Sequence, residues 1–269
     1  MQKKGSFTLL ESAEFNTWLQ EAVISRRIVT VQQHHTWSPG YSHFDGGNHF
    51  ALQNSMKNSH LERGFADIAQ HFSIFPDGKI CTGRSLDRIP AGIKGANTGA
   101  VCIENVGNFD SGADNMTKAQ QDAIVGVTAA IVKRFGIPAD TEGIIYHHWF
   151  DLVTGKRTNG TGSTKTCPGT AFFNGNSPQN CKEHFIPLVA SEMTANDVQH
   201  HCAGAELLAV GKVTADQLNV RSGPSSRYGV VDVLKRAILV NCYEIKNQWW
   251  RIHPFADRWV CGRYVNESH

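Results

Sequence analysis

Three places in this chain carry residues that could do chemistry together. Two β-branched runs, "RIVTVQQHH" (27–35) and "EGIIYHHWF" (142–150), lead into paired histidines, His34–His35 and His147–His148. About twenty residues after the second pair, "GSTKTCPGT" (162–170) sets Cys167 before a proline and two residues beyond Lys165. Neutral imidazole and thiolate are the ligands that zinc prefers, and three such ligands with one position left open make a catalytic site. Strand ends would deliver the histidines rigidly, and the intervening "VTGKRTNGTGST" reads as a flexible loop that lets the third ligand swing in. In an extended segment Lys165 and Cys167 point to the same side, where an ammonium steadies charge developing on a carbonyl oxygen. The same residues also allow a thiol hydrolase, with Cys167 as nucleophile and a histidine as its base. Nothing in the spacing marks which histidine that base would be.

The bulk composition narrows the classes. A chain of 269 residues with 41% apolar and 19% charged residues is an ordinary globular composition, long enough for two cores of unequal size. A formal charge of +2, without a basic stripe interleaved with aromatics, argues against nucleic acid. The amino end has two lysines but no apolar run long enough for a secretory signal, and no stretch approaches a membrane span. Seven cysteines without CxxC spacing argue against a disulfide framework or a zinc knuckle. Cys81, Cys102, Cys242 and Cys261 sit in apolar strand-like runs and read as small buried hydrophobes. Cys167 does not sit in such a run.

The elements that must position these residues alternate between strand and helix. Residues 49–64 look helical, with Leu52 and Met56 at helical spacing before Gly64. "HFSIFPDGKICTGR" (71–84) is a hairpin around a Pro-Asp-Gly turn, and "GAVCIENVGNFD" (99–110) a strand and loop. "TKAQQDAIVGVTAAIVKRFG" is the clearest helix. Thr117 and Gln120 form a capping-box pattern, Ile124, Thr128, Ile131 and Phe135 an apolar stripe, and Gly136 the stop. We read 1–190 as an α/β domain with a mixed central sheet flanked by helices, and 191–204 as a linker with a solvated His200–His201 pair. From 205 to 269 short strands separated by turns predict a small all-β domain anchored by Trp249, Trp250 and Trp259.

These motifs together resemble the zinc-dependent N-acetylmuramoyl-L-alanine amidases of the type-2 amidase and peptidoglycan-recognition family. "VQQHHT" and "YHHWF" are similar to its two histidine motifs, "TKTCPG" to its Lys-x-Cys-Pro motif, over roughly residues 27–190. The resemblance implies one zinc ion held by His34, His147 and Cys167, with His35 and His148 as the less favoured members of each pair. It makes Lys165 the electrophilic stabiliser. Gln70 stands where phage-type members carry a catalytic tyrosine, and it cannot act as acid or base. Glu104 in "VCIENVG" instead matches the glutamate of the cytosolic recycling members and is the expected general base. Gly92 replaces a histidine often found in the family, leaving Lys94 and Asn97 as weaker candidates for substrate contact.

"LNVRSGPS" and the later "WWRI" resemble the bacterial SH3-like domains over about residues 208–266, which implies a wall-binding module. The implied partner is peptidoglycan, both glycan strand and stem peptide, with no nucleic acid and no membrane. The implied reaction is hydrolysis of the amide between the lactyl group of N-acetylmuramic acid and L-alanine. Two rivals are a non-catalytic peptidoglycan-binding protein and a cysteine hydrolase acting on wall peptides. Cys167 argues against the first, because members that only recognise the polymer typically lose that ligand. Action on the wall, periplasmic or extracellular, would then need phage lysis, specialised secretion or a signal since removed.

Overall fold

The computed structural model describes the backbone of residues 1–22, 24–202, 207–253 and 257–268, with side chains for these except 195–202 and Ser268. The chain divides into two compact units, Met1–Thr194 and Ala195–His269.

A seven-stranded sheet runs through the first unit. Its strands are β1 (Gln2–Lys4), β2 (Phe7–Leu10), β3 (Thr30–His35), β4 (Phe72–Ile74), β5 (Ile80–Thr82), β6 (Ala100–Asn105) and β7 (Ile144–Tyr146). Their spatial order is β1-β2-β5-β4-β6-β3-β7. β3 pairs in parallel with both β6 and β7, while β4–β5, β5–β2 and β2–β1 are antiparallel. Three helices complete the frame before the last one: α1 (Ser12–Glu21), α2 (His49–Glu62) and α3 (Lys118–Phe135). The mixed α/β architecture expected from the alternating pattern is present.

Strand alternation decides what each face carries, because successive side chains point to opposite sides. On β3, Gln33 donates to the Thr128 hydroxyl of α3 at 2.8 Å, which puts α3 over the odd-numbered face. Gln32 and His34 therefore face the other way. The main core packs Phe15, Leu19, Phe72, Ile103, Ile124 and Ile131 between the sheet and helices α1 and α3. A smaller cluster of Phe7, Met56, Ile68 and Phe75 seats α2. Each such side chain contributes roughly 1.5–3 kcal/mol on burial.

The boundaries of α3 follow the expected signals. Thr117 Oγ1 accepts from the Gln120 N–H at 3.1 Å, and Gly136 closes the helix at φ +62°. Gln120 does not complete the capping box. Its amide donates to the Ile74 and Val106 carbonyls instead, joining the helix start to two strands. In the hairpin, Gly78 takes φ +83° and donates to the Phe75 carbonyl, as the Pro-Asp-Gly turn requires.

The segment read as a linker, within which the boundary between the two units falls, is mostly helical. A helix spans Ile186–Cys202. Its polar composition lacks glycine or proline before residue 204, and nothing in it stops a helix. The His200–His201 pair lies outside the residues whose side chains are described.

The second unit is all-β. Strands Gln217–Arg221, Val230–Lys235, Glu244–Lys246, Trp249–Arg251 and Trp259–Cys261 form a five-stranded sheet. Ala209–Val213, Leu239–Cys242 and Val265–Ser268 form a three-stranded one. Trp250 and Trp259 are buried anchors, while Trp249 is half-buried. Gly211 and Gly262 lie against the Trp250 ring, where a Cβ would have no room. The described cysteines are all free, and no helix among the described residues is long and apolar enough to cross a membrane.

His71, 1% exposed just before β4, resists protonation in the fold. Its Nδ1 accepts from the Cys102 N–H at 3.0 Å and its Nε2 meets the Arg88 carbonyl at 2.9 Å. Burial pushes its pKa down to about 3, with Arg26 and Arg84 acting in the same direction. The unfolded chain takes up this proton near pH 6.5, whereas the folded state refuses it until about pH 3. Stability is therefore full above pH 6.5 and is lost as the pH falls toward 3, by up to about 1.4 kcal/mol per pH unit from this site. Replacing His71 by Asn, which can still accept from Cys102, is expected to flatten the acid limb in denaturation midpoints measured from pH 7 to 4.5.

Candidate metal centre

The β3–β6 register brings two of the expected site residues together without any help from loops. His34 and Glu104 are direct partners on neighbouring parallel strands, so their side chains emerge on the same face. Glu104 Oε1 lies 4.0 Å from His34 Nδ1. His147 is the first residue of a short turn, His147–Trp149, that follows β7. Its Nδ1 lies 3.1 Å from His34 Nδ1. Cys167 Sγ lies 3.5 Å from the same His34 atom, and the three ligand atoms are all within 4.8 Å of one another.

This donor set fits a tetrahedral cation. Ligand bonds of about 2.0–2.3 Å imply edges of about 3.3–3.6 Å between neighbouring donors, and the two edges that meet at His34 Nδ1, 3.1 and 3.5 Å, are close to this. Buried Glu104 Oε2, which has no hydrogen-bond partner, adds an unsatisfied acceptor at the same place. Desolvation pushes His34 well below its ordinary range and His147 to about 4, so both imidazoles are neutral and free to donate lone pairs. It raises Glu104 to about 8 and drives the Cys167 thiol upward. A divalent cation held there would favour the ionised thiol as its ligand and the anionic carboxylate through its charge.

The second member of each pair serves the frame. His35 faces away from the cluster, and its Nδ1 accepts from the Phe109 N–H at 3.1 Å. Its backbone N–H donates to Cys167 Sγ at 3.4 Å, a bond that steadies a thiolate. His148 bonds the Lys165 carbonyl through Nδ1 at 2.6 Å, and its N–H donates to the Cys167 carbonyl at 2.7 Å. The preference for His34 and His147 over their neighbours thus has a geometric basis.

The loop that carries Lys165 and Cys167 is not the swinging segment expected from its glycines. Asp151 accepts from the N–H groups of Val153, Thr154 and Ser163 and from the Thr154 hydroxyl, all within 3.1 Å. Asp110 accepts from the Thr166 hydroxyl at 3.0 Å and the Thr170 N–H at 3.1 Å, flanking Cys167 on both sides. Sequence reading missed both aspartates. Their signal was an acid set among Thr, Ser and Gly, where side chain to backbone bonds organise turns.

A groove of about 760 Å³ opens over the cluster, and Glu104, Lys165 and Cys167 line it. α2 supplies one wall through Leu52, Met56, Ser59 and His60. Gln70, also lining the groove, donates its amide to Ser73 Oγ at 2.9 Å and leaves Oε1 without a partner. Of the weaker substrate candidates, Asn97 is already engaged, since its Oδ1 accepts from the Gly92 and Ile93 N–H groups at 2.9 Å. Lys94 reaches the Val153 carbonyl at 2.6 Å. Gly92 has a steric reason for being glycine. A Cβ there would lie 2.3 Å from Gln32 Oε1 and 2.9 Å from His34 Nε2. Gln32 was also missed, although its place two residues before His34 puts it on the same strand face. Its Nε2 donates to the Ala96 carbonyl at 2.9 Å, which leaves Oε1 turned to His34 Nε2 at 3.4 Å. Gly92→Ala is expected to cost about 1–3 kcal/mol by overpacking, read as a lowered denaturation midpoint.

The family model described as N-acetylmuramoyl-L-alanine amidase matches residues 25–170. An endolysin of Enterobacteria phage K11 is 35% identical over 75 residues, 27% of this chain and 50% of that protein. An endolysin of Klebsiella phage KP32 is 35% identical over 72 residues, 26% and 48% of the two chains. The chain spans about half the length of these curated relatives. Among solved structures, Drosophila PGRP-LB aligns with a TM-score of 0.44 at 25% identity, covering 55% of this chain and 78% of that one. The N-acetylmuramoyl-L-alanine amidase LysC from Clostridium intestinale aligns with a TM-score of 0.43 at 19% identity, covering 64% and 88%. The family model spans more than half of the sequence, and on that ground this chain belongs to the N-acetylmuramoyl-L-alanine amidase family.

Proposed function

We propose that this protein hydrolyses the amide between the lactyl group of N-acetylmuramic acid and L-alanine in peptidoglycan, with one zinc ion at the cluster. The observation that carries the reading is the convergence of His34 Nδ1, His147 Nδ1 and Cys167 Sγ beside Glu104, whose Oε2 is buried without a hydrogen-bond partner. These three atoms would hold the metal. When bound, zinc polarises a carbonyl as a Lewis acid and makes water a nucleophile at neutral pH.

The remaining work falls to the chain's own side chains. Glu104 takes the proton of the attacking water at its carboxylate and returns it to the leaving alanine nitrogen. Its buried setting, with no competing donor at Oε2, keeps it available for both transfers. The Lys165 ammonium, lining the groove next to Cys167, stabilises the negative charge that develops on the amide oxygen. Gln70, whose side-chain amide donates to Ser73 Oγ, shapes the wall and moves no proton. A thiol-nucleophile mechanism is disfavoured because Cys167 is only 5% exposed and its thiol is pushed up by burial.

The all-β unit supplies the second half of the proposal. We assign residues 205–269 as an SH3-like module that binds the wall, following the amidase domain and the segment 191–204. A second site on the same polymer raises the effective concentration of substrate at the groove without new catalytic contacts. The similarity to phage endolysins supports a wall-degrading enzyme acting outside the cytoplasm, not a recycler of soluble fragments.

Purified peptidoglycan incubated with the protein should release stem peptides with a free amino-terminal alanine, detected by mass spectrometry. A chelator should abolish release and added zinc restore it; cleavage indifferent to chelation would sink the metal mechanism. Glu104→Gln should retain one zinc per chain while turnover drops about 10²–10⁴-fold. Near-wild-type turnover in that variant would remove Glu104 from the proposed role.

A further inference from the structure

We propose that Trp37 is a stacking platform for the saccharide ring of the substrate and decides that glycan-linked amides are preferred over free peptides. The inference rests on the amide-hydrolysis reading above.

Trp37 follows the metal-cluster strand by two residues and lines the groove together with Thr36, Ser38 and Pro39. Its side chain is 63% exposed. No ring contact or hydrogen bond engages that side chain among the described residues. Its backbone stands at φ +59°, where a bulky residue is an outlier and glycine sits without strain. Neighbouring bonds enforce the conformation. Thr36 N–H donates to the Asn105 carbonyl and Trp37 N–H to the Gly107 carbonyl, both at 3.0 Å. The Thr36 hydroxyl donates to the Pro39 carbonyl at 2.6 Å and accepts from the Gly107 N–H at 2.9 Å. The turn is thus held by groups that do not involve the indole, and a glycine would fill the position at lower conformational cost. Strain of this kind persists where the side chain serves a ligand.

The chemistry around the indole selects a sugar. An aromatic face attracts polarised C–H bonds, which a pyranose presents over one side of its ring. His43, which also lines the groove, has its Nδ1 occupied by the Gly40 N–H at 3.2 Å, so its Nε2–H is left to donate to a hydroxyl or acetamido oxygen. The α2 wall differs in character. Leu52 and Met56 offer apolar contact, and just past the helix end the Arg63 guanidinium, 5.2 Å over the Phe65 ring, adds a cation, which suits a peptide bearing carboxylates. The scissile amide joins these two halves of the substrate, and the metal cluster lies under the same groove.

The test compares the full chain with Trp37→Ala, Trp37→Phe and Trp37→Gly on two zinc-dependent substrates, a muramoyl dipeptide and the lactoyl dipeptide that lacks the sugar ring. Trp37→Ala should raise KM for the muramoyl substrate about 3- to 10-fold, leave its kcat unchanged, and leave the lactoyl substrate unaffected. Trp37→Phe should retain most of the affinity. Trp37→Gly should raise Tm while losing the same preference for the sugar, an outcome that a purely structural tryptophan does not give. Equal effects on both substrates, or none on either, would overturn the assignment. If the wild type cleaves neither substrate, the hydrolysis reading fails, and the platform is then judged by binding alone. In that case N-acetylmuramic acid must shift the one indole N–H signal that Trp37→Phe removes, and an unmoved signal rejects the platform.

Discussion

Burial of ionisable groups at the floor of the groove is the constraint on which the rest of the first unit depends. Two imidazoles, a thiol and a carboxyl share that floor, and burial drives each toward its uncharged form. Four polar groups with so few protein partners would be costly to bury for structure alone. The sheet absorbs this cost by rigidity. β3 is held between β6 and β7, and Gln33, Asn105 and Thr128 link the strands to α3 through buried side-chain bonds. Asn105 also donates to the His34 carbonyl at 2.7 Å, so the backbone under the cluster is tied from the side.

The third ligand is positioned by a different principle. No strand carries Cys167; instead two aspartates organise the segment around it, Asp151 from within the preceding loop and Asp110 from the loop that follows β6. Backbone groups of His35 and His148 then meet its sulfur and its carbonyl. Each histidine pair is thereby divided between two tasks. One member faces the cluster, and its neighbour anchors the loop that completes it.

Much of this was legible because the relevant periods are short. Strand ends, the Pro-Asp-Gly turn, the Thr117 cap and the Gly136 stop all follow from local backbone chemistry. His34 and Glu104 could be nominated from motifs, but that they are register partners is a property of strand pairing and invisible in one chain. Glycine content misled at 151–165, since it marks turns and not motion when an aspartate collects the N–H groups. Gln32 and Gly92 escaped notice because their significance is mutual: the amide turns toward His34 only where the backbone opposite lacks a Cβ. The helix across 191–202 was missed because polar residues with no breaker read as linker when tertiary packing is unknown.

The spacing of the three candidate ligands along the chain has a consequence for persistence. His34 is separated from His147 by 113 positions and from Cys167 by 133. A cation held by all three would act as a reversible cross-link closing most of the domain into one loop. Such closures restrict the unfolded chain most when the loop is long. Supply of the ion would then govern how long the fold persists as well as what the cluster can do, coupling durability to the same atom as the chemistry.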